Sequence, residues 1–309
     1  MANEECRVLS IQSTVVFGYV GNKSASFPLQ LLGFDVSTIN SVQFSNHTGY
    51  GKFKGQVLND DDVECLYEGL KENNIHNFTH LLTGYIGSKS FLQKVGDIIK
   101  DMKKTNPTLT YVCDPVMGDN GKMVGCHGNH IMYVPEELLP VYKETILPLA
   151  DIITPNQYEA ELLTGRSINS EEEALLAMDD LHNMGPQTVV ISSSNLGSNG
   201  TIMSLASTVK NGCKEKFKIE FKLLPAIFVG TGDLFAACLM AWMQTDKKLQ
   251  VALEKTLSTL QAVIKRTLTY AQEQAGPGNT PNSAQMELRL VHSKKDIESP
   301  NIIYKAVPL

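Results

Sequence analysis

The chain has no stretch of about 20 apolar residues able to span a bilayer, no Cys-x-x-Cys pair, and no basic cluster to offset its net charge of −6. The first absence argues against a helical membrane protein. The second, with six cysteines (Cys6, Cys65, Cys113, Cys126, Cys213, Cys238) mostly in apolar surroundings, points to free thiols in a reducing compartment. The third argues against nucleic-acid partners. Lys214, Lys216, Lys218 and Lys222 alternate as one solvated strand face, not a binding patch. Residues 1–5 are acidic, lead straight into a strand and show no signal-peptide pattern, so the expected location is cytoplasmic. Sequons such as Asn46-His47-Thr48 then carry no glycosylation meaning. Two nucleotide fingerprints are also missing. No G-x-G-x-x-G follows the first strand, and the stretch 18–24 lacks the GK[ST] spacing of a P-loop.

What is present reads as an ordinary globular chain, 42% apolar and 19% charged, and 309 residues can bury a sizeable core. Short apolar runs at 6–12, 36–44, 80–85, 110–113, 151–154 and 188–192 predict strands. Helical patterns at 22–32, 60–73, 88–104, 135–147 and 157–163 alternate with them, and another helix opens at Ser170 with Glu173 as a capping box. This alternation implies βαβ units: an α/β fold with a doubly wound, mainly parallel central sheet flanked by helices. Segments 201–208 and 217–224 have no helix between them and predict an antiparallel edge extension. Leu249, Leu253, Leu257, Leu260, Ile264 and Leu268 form one face of a late helix. Without repeats, low-complexity tracts or linkers, one domain over 1–309 is expected. Its ligands belong beyond the C-terminal strand ends.

Those ends carry polar residues at nearly every tip: Ser10, Gln12 and Ser13; residues 45–49; Thr83-Gly84-Tyr85; Asp114 with Asp119; Thr154-Pro155-Asn156; Ser192-Ser193-Ser194. After the strand-like Ile227-Phe228-Val229 comes Gly230-Thr231-Gly232-Asp233, then an apolar helix that includes Trp242 as core. A Gly-rich turn opening a helix aims unpaired N–H groups at one point and makes an anion hole. A carboxylate inside that hole can accept a proton while the amides hold transferring phosphoryl oxygens. Alone, the tetrad is equally a helix start with an acidic first turn. Asp114, Asp119 and Glu159 offer hard oxygens suited to Mg²⁺, although Asn156 followed by Glu159 is also a helix cap with a capping box. His47 reads as a hydrogen-bonding or stacking residue. Cys126, His127 and His130 lack a fourth ligand for zinc.

Taken together these residues resemble the ribokinase superfamily, and within it the pyridoxal kinases, over essentially the whole chain. The specific pieces are the segments 41–50, 82–85, 111–119, 153–162 and 228–233. The resemblance implies a ribokinase-like α/β domain with an ATP flap at about 118–133. It implies phosphorylation of the 5′-hydroxyl of pyridoxal, pyridoxine or pyridoxamine by ATP, for vitamin B6 salvage. Asp233 is then the base, and the amides of Gly230, Thr231 and Gly232 hold the phosphoryl group. Ser13, Thr48 and Tyr85 contact the pyridine ring, with Val20, Val42, Phe44 and Val229 as apolar walls. Asp119 and Glu159 hold Mg²⁺, or Zn²⁺ or another divalent ion in its place. Asp114, Thr154 and Ser192 form a K⁺ or Na⁺ site. Asn156, Ser193 and Thr231 meet the ATP phosphates, Phe221, Leu223 and Leu224 the adenosine, and Tyr133 ends the flap. The resemblance also suggests a homodimer. Phe17 and Pro225 stand where the family has polar residues. Readings left open are a hydroxymethylpyrimidine kinase, a non-catalytic nucleotide-binding regulator and, against the missing glycine fingerprint, a nicotinamide dehydrogenase.

Overall fold

A computed structural model describes residues 5–119, 131–132, 134–210 and 212–309. In chain order the elements are β1 (Arg7–Val15), α1 (Asn22–Leu31), β2 (Asp35–Phe44), β3 (Gly55–Val57), α2 (Asp60–Glu72), β4 (His80–Thr83), α3 (Lys89–Thr105) and β5 (Thr110–Cys113). There follow β6 (Gly118–Asp119), β7 (Ile131–Met132), α4 (Leu138–Val141), β8 (Ile152–Ile153), α5 (Gln157–Thr164), α6 (Glu171–Asn183) and β9 (Thr188–Ser194). The rest is β10 (Thr201–Lys210), β11 (Cys213–Lys222), α7 (Thr231–Asp246), α8 (Leu249–Ala275), α9 (Lys294–Glu298) and β12 (Val307–Pro308).

Ten strands form one sheet in the order β12-β11-β10-β9-β8-β5-β4-β1-β2-β3. The six from β9 to β2 run parallel. β10 and β11 make the expected antiparallel extension. β12 and β3 add antiparallel edges that the sequence did not reveal, because each is only two or three residues long. Both faces of the sheet are covered, as parallel strands require, and side chains alternate between them with period two. Leu9, Ile11, Leu81, Tyr111, Cys113, Val189 and Ile191 enter the core shared with α3, α5 and α6. Val8, Leu82, Val112 and Val190 enter the opposite core, packed by α1, α7 and α8. Leu234 to Trp242 of α7 are all buried, which explains a helix apolar on every side.

β2 and β4 flank β1, so the winding changes direction between β1 and β4, where ligand crevices open in such sheets. Four sequence expectations need correction. Residues 227–229 form no strand: α7 follows an irregular 223–229 segment, and its turn is set by Gly230 rather than by a strand end. The helix expected at 135–147 is one turn of α4 continued by a π-helical turn (Tyr142–Ile146) and a 3₁₀ turn (Leu147–Leu149), where Pro140 and Pro148 interrupt regular bonding. At α6, Ser170 caps Glu173 N–H, but the Glu173 carboxylate accepts Asn169 N–H instead of closing the box. Finally, Lys214 and Lys216 pair with Asp179 and Lys218 with Glu171, so that strand face is tied to α6. Cys6, Cys65, Cys113, Cys213 and Cys238 are free thiols, Cys65 and Cys213 exposed; Cys126, His127, His130 and Tyr133 lie outside the described residues. Among the described residues no helix is long and apolar enough to cross a membrane.

Candidate active site

Adjacent strand tips are stitched together. Asp114 N–H donates to Thr83 O (2.9 Å), Thr154 N–H to Cys113 O (3.1 Å) and Ser192 N–H to Pro155 O (2.8 Å). This sets Thr83, Asp114, Thr154 and Ser192 in a row along the C-terminal edge. Ser13 faces a bulge in β2: the register runs from Gln12 opposite Asn40 to Thr14 opposite Gln43, so Ser13 alone stands against both Ser41 and Val42. Bulges re-aim side chains beside functional sites.

Gly230 caps α7 in the left-handed conformation (φ 84°), and a Cβ there would lie 2.0 Å from Tyr19 O, so only glycine fits. Thr231, Gly232 and Asp233 follow as the first turn, whose N–H groups have no intrahelical partner. A Cβ on Gly232 would lie 3.3 Å from Asp114 Oδ2, which brings the β5 tip against α7. Asp233 Oδ2 accepts Gly21 N–H at 2.7 Å. Burial pushes its carboxyl up to about 6, with the Gly21 N–H pulling the other way. The stretch 18–24 is therefore no phosphate loop: its glycine backbone holds the carboxylate.

Asn156 and Glu159 make the complete capping box of α5, with Glu159 N–H to Asn156 Oδ1 at 3.0 Å and Asn156 N–H to Glu159 Oε2 at 2.9 Å. The same carboxylate reaches across to the 117–118 segment, where Oε1 accepts Met117 N–H at 2.9 Å, and Asn156 Nδ2 donates to Gly118 O at 2.8 Å. Burial pushes Glu159 up to about 7 despite these N–H donors, and the Asp119 charge adds to the rise. Asp114, 5% exposed, is pushed well above the ordinary carboxylate range by burial first, then by the charges of Glu159 and Asp233. Its Oδ2 and the hydroxyl of buried Thr154 make no hydrogen bond of good geometry, although Thr154 lies near enough to Asp114 to offset part of that rise. Buried carboxyls that repel one another beside poorly bonded oxygens are a setting that suits a cation. Among the described residues no three His, Cys, Asp or Glu side chains form a ready-made metal cage. Mg²⁺ needs none, since it keeps several waters.

On the β2 side, Val42 is buried and Phe44 half-buried beside Phe53 (5.0 Å between rings). Thr48 opens an exposed turn capped by His47, whose Nδ1 accepts Gly49 N–H and whose ring packs on Tyr50 at 4.7 Å. His47 is thus the bonding and stacking residue expected.

A family model described as phosphomethylpyrimidine kinase matches residues 36–279. The pyridoxal kinase of Homo sapiens is 55% identical over 315 residues, 99% of each chain. The chain belongs to the pyridoxal kinase family. A family member from Arabidopsis thaliana is 52% identical, covering 97% of this chain and 94% of its own. A solved pyridoxal kinase from Leishmania donovani, in complex with ADP and pyridoxamine, superposes with a TM-score of 0.89 at 32% identity, over 99% of this chain and 100% of that one.

Within this pyridoxal kinase framework, the residues expected from sequence divide cleanly. Asp114, Glu159, Asp233 and the Gly230–Gly232 turn come together, with Asp119 close enough for its charge to act on Glu159. Phe221 does not join them: it is 4% exposed and packs in the core edge-on to Tyr304, while Leu223 and Leu224 are partly exposed. Val20 is buried, and Val229 stands 40% exposed. Two residues escaped sequence reasoning. Gly21 carried a visible signal in its glycine-rich stretch, but its role depends on where α7 arrives. Glu287, which accepts the Tyr50 hydroxyl and Tyr19 N–H, stands in no motif.

Proposed function

We propose that this chain transfers the γ-phosphoryl group of ATP to the 5′-hydroxyl of pyridoxal, and of pyridoxine and pyridoxamine, giving pyridoxal 5′-phosphate in vitamin B6 salvage. The observation that carries this reading is Asp233 in the first turn of α7, tied to Gly21 N–H at 2.7 Å and titrating at about 6. At neutral pH it is a carboxylate able to take a proton. As the 5′-oxygen bonds to the γ-phosphorus and the bridge to ADP breaks, Asp233 accepts the hydroxyl proton, and the amides of residues 230–232 receive the charge of the moving phosphoryl group. Positioning matters more than base strength, because proton transfer comes late in a loose transition state.

Ser13, Thr48 and Tyr85 hold the ring between Val20, Val42, Phe44 and Val229. Asn156, Ser193 and Thr231 meet the phosphates, and Leu223 and Leu224 flank the adenosine; the buried position of Phe221 limits it to supporting that wall. Asp119 and Glu159 would hold Mg²⁺, or Zn²⁺ or another divalent ion, directly or through water, and the ion would supply positive charge against the phosphates. The poorly bonded Asp114 Oδ2 and Thr154 hydroxyl, with Ser192, suit K⁺ or Na⁺. The chain acts as one domain with a flap over 118–133, as a cytoplasmic homodimer. A second reading, phosphorylation of hydroxymethylpyrimidine, is favoured by the matching family model. Coupled ADP release with each acceptor separates the two. Turnover is expected with pyridoxal and slower or none with hydroxymethylpyrimidine; the reverse order overturns the assignment.

A further inference from the structure

The proposed reaction needs two separate pieces of chain held at one spacing: the 47–50 turn assigned to the acceptor ring, and Asp233. They are linked through a residue that belongs to neither motif. Glu287 Oε2 accepts Tyr19 N–H at 2.9 Å, across 268 residues of sequence. Its Oε1 accepts the Tyr50 hydroxyl at 2.8 Å and lies 3.5 Å from His47 Nε2. The side chains of His47 and Glu287 are each only 10% exposed. Because His47 Nδ1 accepts Gly49 N–H, the proton of the neutral ring is assigned to Nε2, aimed at Glu287. A carboxylate this buried is stable only with its donors in place.

The Tyr19 loop is gripped from both sides. On one flank, Gly18 (φ +98°) presses its backbone onto the carboxylate, and a Cβ there would lie 2.2 Å from Glu287 Oε1. On the other, Tyr19 O packs against Gly230, and Gly21 N–H binds Asp233. We infer that Glu287 is a positioning residue that locks the 47–50 turn to the 18–21 loop, and so sets where the acceptor lies relative to Asp233. The inference rests on the roles given above to Asp233 and to that turn. Every contact of Glu287 just described is on the acceptor side; none involves Asn156, Ser193 or the 117–118 segment assigned to the nucleotide. Its loss therefore acts on one substrate and not on the other.

The test compares full-length Glu287→Ala and Glu287→Gln with the unaltered chain, varying pyridoxal and ATP separately and recording thermal midpoints. Glu287→Ala is expected to raise the KM for pyridoxal about tenfold and lower kcat, with the KM for ATP moving less than about twofold. Glu287→Gln retains an acceptor for Tyr19 N–H and is expected to fall between, at about threefold in pyridoxal KM. Unchanged kinetics in the Gln variant, or equal rises in both KM values, overturn the inference, and the Gln variant decides if the Ala variant does not fold. An unaltered chain that fails to turn over pyridoxal sinks the underlying functional reading instead.

Discussion

Asp233 carries the most specific chemistry for its size. Burial raises its carboxyl to about 6, whereas a base must be ionised to act. The sign follows directly: above pH 6 the carboxylate is free to accept the hydroxyl proton, and below it the group is already protonated. We predict that kcat/KM for pyridoxal declines as pH falls through about 6, and that Asp233→Asn removes this acid limb together with ~10²–10⁴ of the rate. A pH–rate profile of both proteins checks it. A variant that keeps the limb would move the titration to another group.

At the scale of elements, the α5 cap does two jobs with one side chain. Glu159 closes the capping box and also accepts N–H groups from the 117–118 segment, so it clamps the start of α5 to the chain leaving β5. Glu159→Ala should lower unfolding stability by about 2–4 kcal/mol, from a lost cap plus buried donors left unpaired. Urea unfolding measures this. The same variant should require more Mg²⁺ for half-maximal turnover; an unchanged Mg²⁺ titration would leave Glu159 with the clamp alone.

Over the whole molecule, buried carboxyls gather at one end of the parallel strands. Burial raises Asp114, Glu159 and Asp233, and the charges of Glu159 and Asp233 raise Asp114 further, where the β5 tip, α5 and α7 meet. Chelating divalent ions with EDTA should abolish turnover. Replacing K⁺ and Na⁺ by a bulky organic cation should reduce turnover while Mg²⁺ is still present, because the proposed site at Asp114, Thr154 and Ser192 would then be unfilled. Equal rates in both salts would remove the monovalent site.

Local periodicity was enough to read the parallel strands, the flanking helices and the antiparallel pair β10–β11, because alternation and helical spacing are imprinted residue by residue. The motif at 230–233 and the carboxylates at 114, 119 and 159 were legible for the same reason: each has a local chemical signature. Two-residue strands such as β12 carry no such signature, and the 227–229 run looked like a strand because three consecutive apolar, β-prone residues ending at a glycine read as a short buried strand. Only the folded chain shows that Phe221 is core, that Gly21 holds Asp233, and that Glu287 joins two loops separated from it by more than two hundred residues. Those relations depend on which strand tips become neighbours. That adjacency is set by packing across the whole sheet, not by any window of sequence.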